Sequence, residues 1–220
     1  MSVQCLDLRA EQSNPFPGKK KSDGTVINTS KVVKGKTLVR DPKLITGIVV
    51  HQTACVFGPA ADRQKAYRRA LGIPAHVVGF RDGTFVVPAD PLWYLYTSNG
   101  FNAFSYGVEL EGKYAGIAGD PKTVWGGGET PLDDLAVETF RAAVKWIVDE
   151  GRRLGSPLQY VWSHRQSNGQ KPSDPGEEIW KRVVLEYAVP VLGLQTQNTR
   201  IIDGGKPIPA QWDASSTAKY

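Results

Sequence analysis

LITGIVVHQT, residues 44–53, decides the fold. It is a β-branched apolar run, Ile45 to Val50, that ends in the polar group His51, Gln52 and Thr53. A short apolar run of this kind predicts a buried strand whose polar end emerges from the core. Working outward, AHVVGF, RDG and TFVVP (75–88) predict a hairpin, because Asp82-Gly83 supplies the positive φ of a tight turn. NAFSYGVELEG (102–112) predicts another strand, with Val108 and Leu110 on one face and Glu109 and Glu111 on the other. PLQYVWSH (157–164) predicts a strand that ends in His164.

Helical patterns separate these strands. PAADRQKAYRRALGIP (59–74) has Pro59 near its start and Gly72-Ile73-Pro74 to stop it. PLDDLAVETFRAAVKWIVDEGRRLG (131–155) is the clearest helix. Thr130 can cap it, Pro131 suits its first turn, and Asp133 completes a capping-box pattern. Phe140, Val144, Ile147 and Leu154 then form one apolar stripe. EEIWKRVVLEYAVPVLG (177–193) is a final amphipathic helix with Pro190 near its end. The alternation predicts an α/β fold: a single domain with a central mixed β-sheet flanked by helices. The expected division is a basic, polar N-terminal extension (1–43), the core domain (44–194) and an irregular tail (195–220).

Composition excludes several classes. Of the 220 residues 40% are hydrophobic and 22% charged, which rules out a disordered or fibrous chain. No run approaches the roughly 20 apolar residues of a membrane span. The N-terminal stretch lacks the apolar core of a secretory signal. The two cysteines, Cys5 and Cys55, make no disulfide framework. Cys55 follows His51 closely enough to be drawn as a ligand, but a small buried hydrophobe near a strand end is the commoner fate. A net charge of +5 suits an anionic partner. The cluster Lys19, Lys20 and Lys21 reads as a solvated loop, and no nucleic-acid-reading motif accompanies it.

The chain has only three histidines, and two of them end predicted strands. His51, His164 and Asp174, the last in KPSDPG, together offer two imidazoles and a carboxylate. Catalytic zinc sites use three protein ligands and leave a fourth position open, whereas structural sites close with four. Iron and manganese accept the same donors. Such a site needs a general base and a positive group for a developing oxyanion. Glu109, isolated on an apolar strand, suits the first role, and Glu111 matches it in spacing. Lys171 suits the second. His76 could be a fourth ligand, a support for a ligand or a substrate contact; the support reading leads, since a fourth histidine would close the site.

IVVHQTA, PAHVVGFRDGTFVVP, NAFSYGVELEG and WSHRQSNGQKPSDPG, in that order, resemble the zinc-dependent N-acetylmuramoyl-L-alanine amidases. This type-2 amidase family shares its fold with the peptidoglycan recognition proteins, and the resemblance covers roughly 44–194. It implies a zinc groove on one face of the sheet, with His51, His164 and Asp174 as Zn2+ ligands. It places the catalytic glutamate at Glu109. The family lysine, usually two residues before the last ligand, meets Pro172 here, with Lys171 one step earlier, so Arg165 or a backbone donor is an alternative. Where many bacterial members have Trp-His-Ala-Gly, this chain has Trp93-Tyr94-Leu95-Tyr96, aromatics able to stack on sugars or to pack internally.

The resemblance implies hydrolysis of the amide between N-acetylmuramic acid and L-alanine in peptidoglycan or muropeptides; a monomer is expected. The expected role is lytic and endolysin-like: synthesis in the cytoplasm without a signal peptide, then action on the cell wall after release or export. Two alternatives stand beside it. One is a cytoplasmic enzyme recycling muropeptides. The other is a non-catalytic peptidoglycan-binding module, which the full ligand set disfavours.

Overall fold

The computed structural model describes residues 2–58 and 62–220. Its strands are β1 (Gln4–Asp7), β2 (Lys19–Lys20), β3 (Val26–Ile27), β4 (Val32–Val33), β5 (Lys36–Thr37), β6 (Gly47–Gln52), β7 (Val77–Gly79), β8 (Thr84–Val87), β9 (Ser105–Leu110), β10 (Tyr160–Ser163) and β11 (Gln195–Thr196). Seven of them form one sheet in the order β1-β8-β7-β9-β6-β10-β11. Only the β7–β8 pair is antiparallel; every other pair in this sheet is parallel. The expected mixed sheet is therefore present, with the hairpin turning at Gly83, whose φ is +90°. β2 pairs with β3 and β4 with β5, as two small ribbons from the lysine-rich lead-in.

β1 adds an edge strand to β8 from the far N-terminal side of the chain. Its residues are mostly exposed, so no apolar rhythm marks it in the sequence. Helix α1 (Arg63–Arg68) runs on into a tighter turn at Arg69–Gly72. The expected start near Pro59 lies outside the described residues.

Helix α2 (Asp134–Arg153) begins three residues after Pro131. Asp133 is its N-cap: the carboxylate accepts the Ala136 N–H at 2.8 Å, an interaction worth about 1 kcal/mol. Thr130, expected as the cap, instead accepts the Lys113 N–H through its hydroxyl oxygen (3.0 Å) and fixes the preceding loop. Phe140, Val144 and Ile147 of the stripe are buried, while Leu154 is half-buried at the helix end. Helix α3 (Glu177–Ile179) continues through Trp180–Ala188 with the wider winding of a π-helix.

The two faces of the sheet are unlike. Ile48, Val50, Val108 and Leu110 face α2 and α3, where they pack with Phe140, Val144, Ile179 and Val183. This is the apolar half of the strand alternation, and truncating one such residue as large as Phe140 to alanine typically costs about 3–5 kcal/mol. The opposite face is divided. α1 covers Val78 and Val86 at one end, and Phe101 stacks on Trp162 at 4.8 Å at the other. Between these patches the strands present His51 and Glu109.

The segment after β11 carries no long regular element, yet it docks. Trp212 is fully buried and donates its indole N–H to the Gly116 carbonyl. Tyr220 Oη lies 2.9 Å from Ser173 Oγ. No helix among the described residues is long and apolar enough to cross a membrane.

Candidate metal centre

Parallel pairing builds the site. The β6–β9 register sets His51 directly opposite Glu109, and β10 runs on the other side of β6 with Ser163 opposite Val50. His164 follows Ser163 at the start of a single tight turn, Arg165 and Gln166 completing it. Gln166 Oε1 reaches back to accept the Ser163 N–H at 3.0 Å, so the chain leaves the strand at a fixed angle. The loop then returns Asp174 to the same place, where its Oδ1 accepts the Gln52 N–H at 2.8 Å. Strand ends on neighbouring parallel strands thus converge on one crevice.

His51, His164 and Asp174 each offer a ligand atom, and these atoms lie within 4.8 Å of one another. The two imidazole centroids are 4.5 Å apart. His164 Nδ1 is 2.9 Å from Asp174 Oδ2. His51 Nδ1 is buried and has no hydrogen-bond partner. A buried polar atom without a partner is costly, and this one faces a nitrogen-and-carboxylate donor set suited to zinc. The residues present therefore fit the metal.

Charge reinforces the geometry. Burial, then the neighbouring His164, lowers the His51 pKa to about 3, so the ring is neutral and its lone pair is available. Burial alone would raise the Asp174 carboxyl; His164 and His51 beside it and the Gln52 N–H hold it below its ordinary value. Burial and then the Asp174 charge push Glu109 well above the carboxylate range, opposed by Lys171. The Glu109 residue keeps some exposure, but its Oε2 is shielded and unpartnered. Glu109 also lines an open cavity of ≈ 400 Å³ with Thr53, Cys55, Phe57, Ile73 and Lys19.

Glu111 has a different environment. Its carboxylate is buried and accepts N–H groups from Phe57 (2.8 Å), Arg81 (3.0 Å) and the Arg63 guanidinium (3.2 Å). It is a satisfied structural anion. Lys171 lines a small pocket with Asp174, Gln52 and Trp125, its ammonium 4.3 Å from the Trp125 ring centre. Arg165 is enclosed instead, between Trp212 and Tyr220 at 5.0 Å from each ring.

His76 lies in the core. Its Nδ1 accepts the Gly107 N–H (2.9 Å), and its Nε2 is 3.1 Å from the Trp93 carbonyl and 3.0 Å from Arg40. Cys55 is half-buried and sits beside Glu109. Of the aromatic string, Leu95 is buried, Trp93 packs on Phe16, and Tyr96 is exposed against Tyr94.

Sequence reasoning missed one segment, Thr97-Ser98-Asn99. Ser98 Oγ is 2.8 Å from His51 Nε2, and Asn99 Oδ1 is 3.1 Å from His164 Nε2. Ser-Asn-Gly reads as a turn, and the only local signal is that asparagine tolerates the positive φ of +50° found at Asn99.

Comparison with known proteins agrees with this architecture. The family profile described as N-acetylmuramoyl-L-alanine amidase matches residues 41–177. A sequence comparison with curated proteins gives no match. Among solved structures, the chain is similar to the endolysine N-acetylmuramoyl-L-alanine amidase LysCS from Clostridium intestinale URNW, with 12% identity and a TM-score of 0.50 over 89% of this chain and 99% of that one. It is similar to Drosophila PGRP-LB, with 14% identity and a TM-score of 0.51 over 90% and 99%. Bumblebee PGRP-SA gives 14% identity and a TM-score of 0.51 over 84% and 97%. At these identities the likeness is one of fold.

Proposed function

The chain belongs to the N-acetylmuramoyl-L-alanine amidase family, and from that premise we propose that it is a zinc amidase cleaving the bond between N-acetylmuramic acid and L-alanine in peptidoglycan. One observation carries the reading: a compact His51, His164 and Asp174 set with a shielded, unpartnered glutamate, Glu109, beside it in register. A pure binding module has no need of that carboxylate.

His51, His164 and Asp174 would hold the metal. Zinc, when bound, supplies Lewis acidity that polarises the scissile carbonyl and makes a water nucleophilic near neutral pH. Glu109 takes the proton released by the attacking water and hands it to the departing amine. Its raised proton affinity suits a group that must hold a proton between two steps. Lys171 adds positive potential at the mouth of the site, where the oxyanion develops. The open cavity beside Glu109 leaves room for a polymer, and the +5 charge favours an anionic envelope, so the role we assign is lytic, on the wall after release or export.

Metal analysis of purified protein, with digestion of isolated sacculi and His164→Ala as control, tests this. About one zinc per chain, with stem peptides released from intact glycan by the wild type alone, is the expected result. Zinc with cleavage of soluble muropeptides only would replace the lytic role by recycling. Neither metal nor cleavage would remove the amidase reading itself.

A further inference from the structure

We propose that Ser98 and Asn99 are positioning residues that fix the tautomer of both metal-binding imidazoles. The inference rests on the zinc reading above and concerns which nitrogen each histidine offers. A neutral imidazole carries one N–H and one lone pair, and the partner of the N–H decides which nitrogen is left for a metal.

His164 is the simpler case. Its Nε2 meets Asn99 Oδ1 at 3.1 Å, and an amide oxygen only accepts, so the proton sits on Nε2. His51 needs a longer argument, because a serine hydroxyl can point either way. Ser98 Oγ is 2.8 Å from His51 Nε2 and 2.7 Å from Thr97 Oγ1, and Thr97 Oγ1 is 3.4 Å from Asn102 Oδ1. Asn102 Oδ1 also accepts the backbone N–H groups of Thr97 (2.9 Å) and Ser98 (2.6 Å), which identifies that atom as the oxygen. The chain therefore ends on an acceptor. Thr97 donates to Asn102, Ser98 donates to Thr97, and His51 Nε2–H donates to Ser98.

Both rings then carry hydrogen on Nε2 and present Nδ1. At His51 that is the buried nitrogen with no partner. At His164 it is the nitrogen 2.9 Å from Asp174 Oδ2, the hydrogen-bond contact that a bound cation would replace. Three candidate ligand atoms, two Nδ1 and one carboxylate oxygen, are thus left on the metal side of the trio. The segment that aligns them is itself clamped. Arg40, buried, donates to the Asn102 and Ser105 carbonyls (2.8 and 2.6 Å), and Gly107 allows close approach, since a Cβ there would meet Thr97 at 2.7 Å.

The test uses Ser98→Ala and Asn99→Gly, the latter chosen because glycine accepts the positive φ. Two readouts apply: zinc affinity by competition with a chromophoric chelator, and long-range 1H–15N spectra of the histidine rings in metal-free protein. The wild type should show both rings protonated at Nε2. Each variant should lose that signature at its own histidine and bind zinc about 10–100-fold more weakly. Ser98→Thr, which keeps the hydroxyl, should restore both. Wild-type rings with no proton on Nε2, or variants with unchanged spectra and affinity, would overturn the inference. A wild type that binds no zinc but shows the expected tautomers, with the variants losing them, would instead count against the metal reading while upholding the hydrogen-bond assignment.

Discussion

Glu109 and Glu111 stand two residues apart on the same stretch of chain, yet their surroundings are opposite. Glu111 is buried with three N–H donors aimed at it. Glu109 keeps a shielded oxygen with no donor and has Asp174 as a charged neighbour. One carboxylate ties α1 and the hairpin to the end of β9; the other is left with an oxygen that nothing holds. The contrast shows that burial alone does not make a group functional. What matters is whether the fold supplies the partners that burial demands.

Substitution should separate the two neighbourhoods. Glu109→Gln should lower turnover on peptidoglycan by about 10²–10⁴-fold, the usual worth of a positioned acid–base group, with melting temperature unchanged or raised. Glu111→Gln should do the reverse. It weakens a buried ion pair with Arg63, which Asp82 still holds at 2.5 Å, and should cost about 2–3 kcal/mol in denaturant unfolding while the folded protein keeps its turnover. Full activity in the first variant, or full stability in the second, would collapse the comparison.

A third measurement extends the contrast to histidine. Burial lowers the His76 pKa from 6.5 to about 3, so the unfolded chain takes up a proton that the folded one refuses. The stability this neutral ring contributes is complete above the unfolded value and drains away as pH falls from 6.5 towards 3, by at most about 1.4 kcal/mol per pH unit. His76→Gln should flatten that slope in urea titrations; an unchanged slope would mean that another group dominates acid unfolding.

The smallest effect is expected at Lys171. Lys171→Ala should cost about tenfold in kcat/KM, short of the roughly 10²–10³ lost with a buried oxyanion donor, because this ammonium sits at an open mouth on Trp125. Lys171 opposes the rise in the Glu109 pKa, so the acidic limb of the rate profile should move to higher pH in this variant. An unmoved limb would detach Lys171 from Glu109.

The strands and the clustering of His51, His164 and Asp174 were legible because each rests on a local pattern: an apolar run, an Asp-Gly turn, a polar residue at a strand end. What was not legible came from distant partners. Glu109 and Glu111 have the same spacing, and only the donors from Phe57, Arg63 and Arg81 tell them apart. Asp133 displaced Thr130 as the cap because the Lys113 N–H claims the threonine. β1 has no amphipathic rhythm and exists through its pairing with β8. Ser98 and Asn99 carry no spacing signal, because a loop residue's role depends on what the sheet places beneath it.

The parallel register of β6 against β9 has one more consequence, for folding fidelity. His51 and Glu109 alternate with Val50 and Val108 along those strands. A slip of β6 by one residue would turn His51 under α2, among Phe140 and Val144, and bring Val50 out onto the site face. The polar pair thus works as a proofreading mark: a misaligned sheet buries an imidazole in hydrocarbon and is discarded, while the aligned sheet is the one that sets His51 beside Glu109.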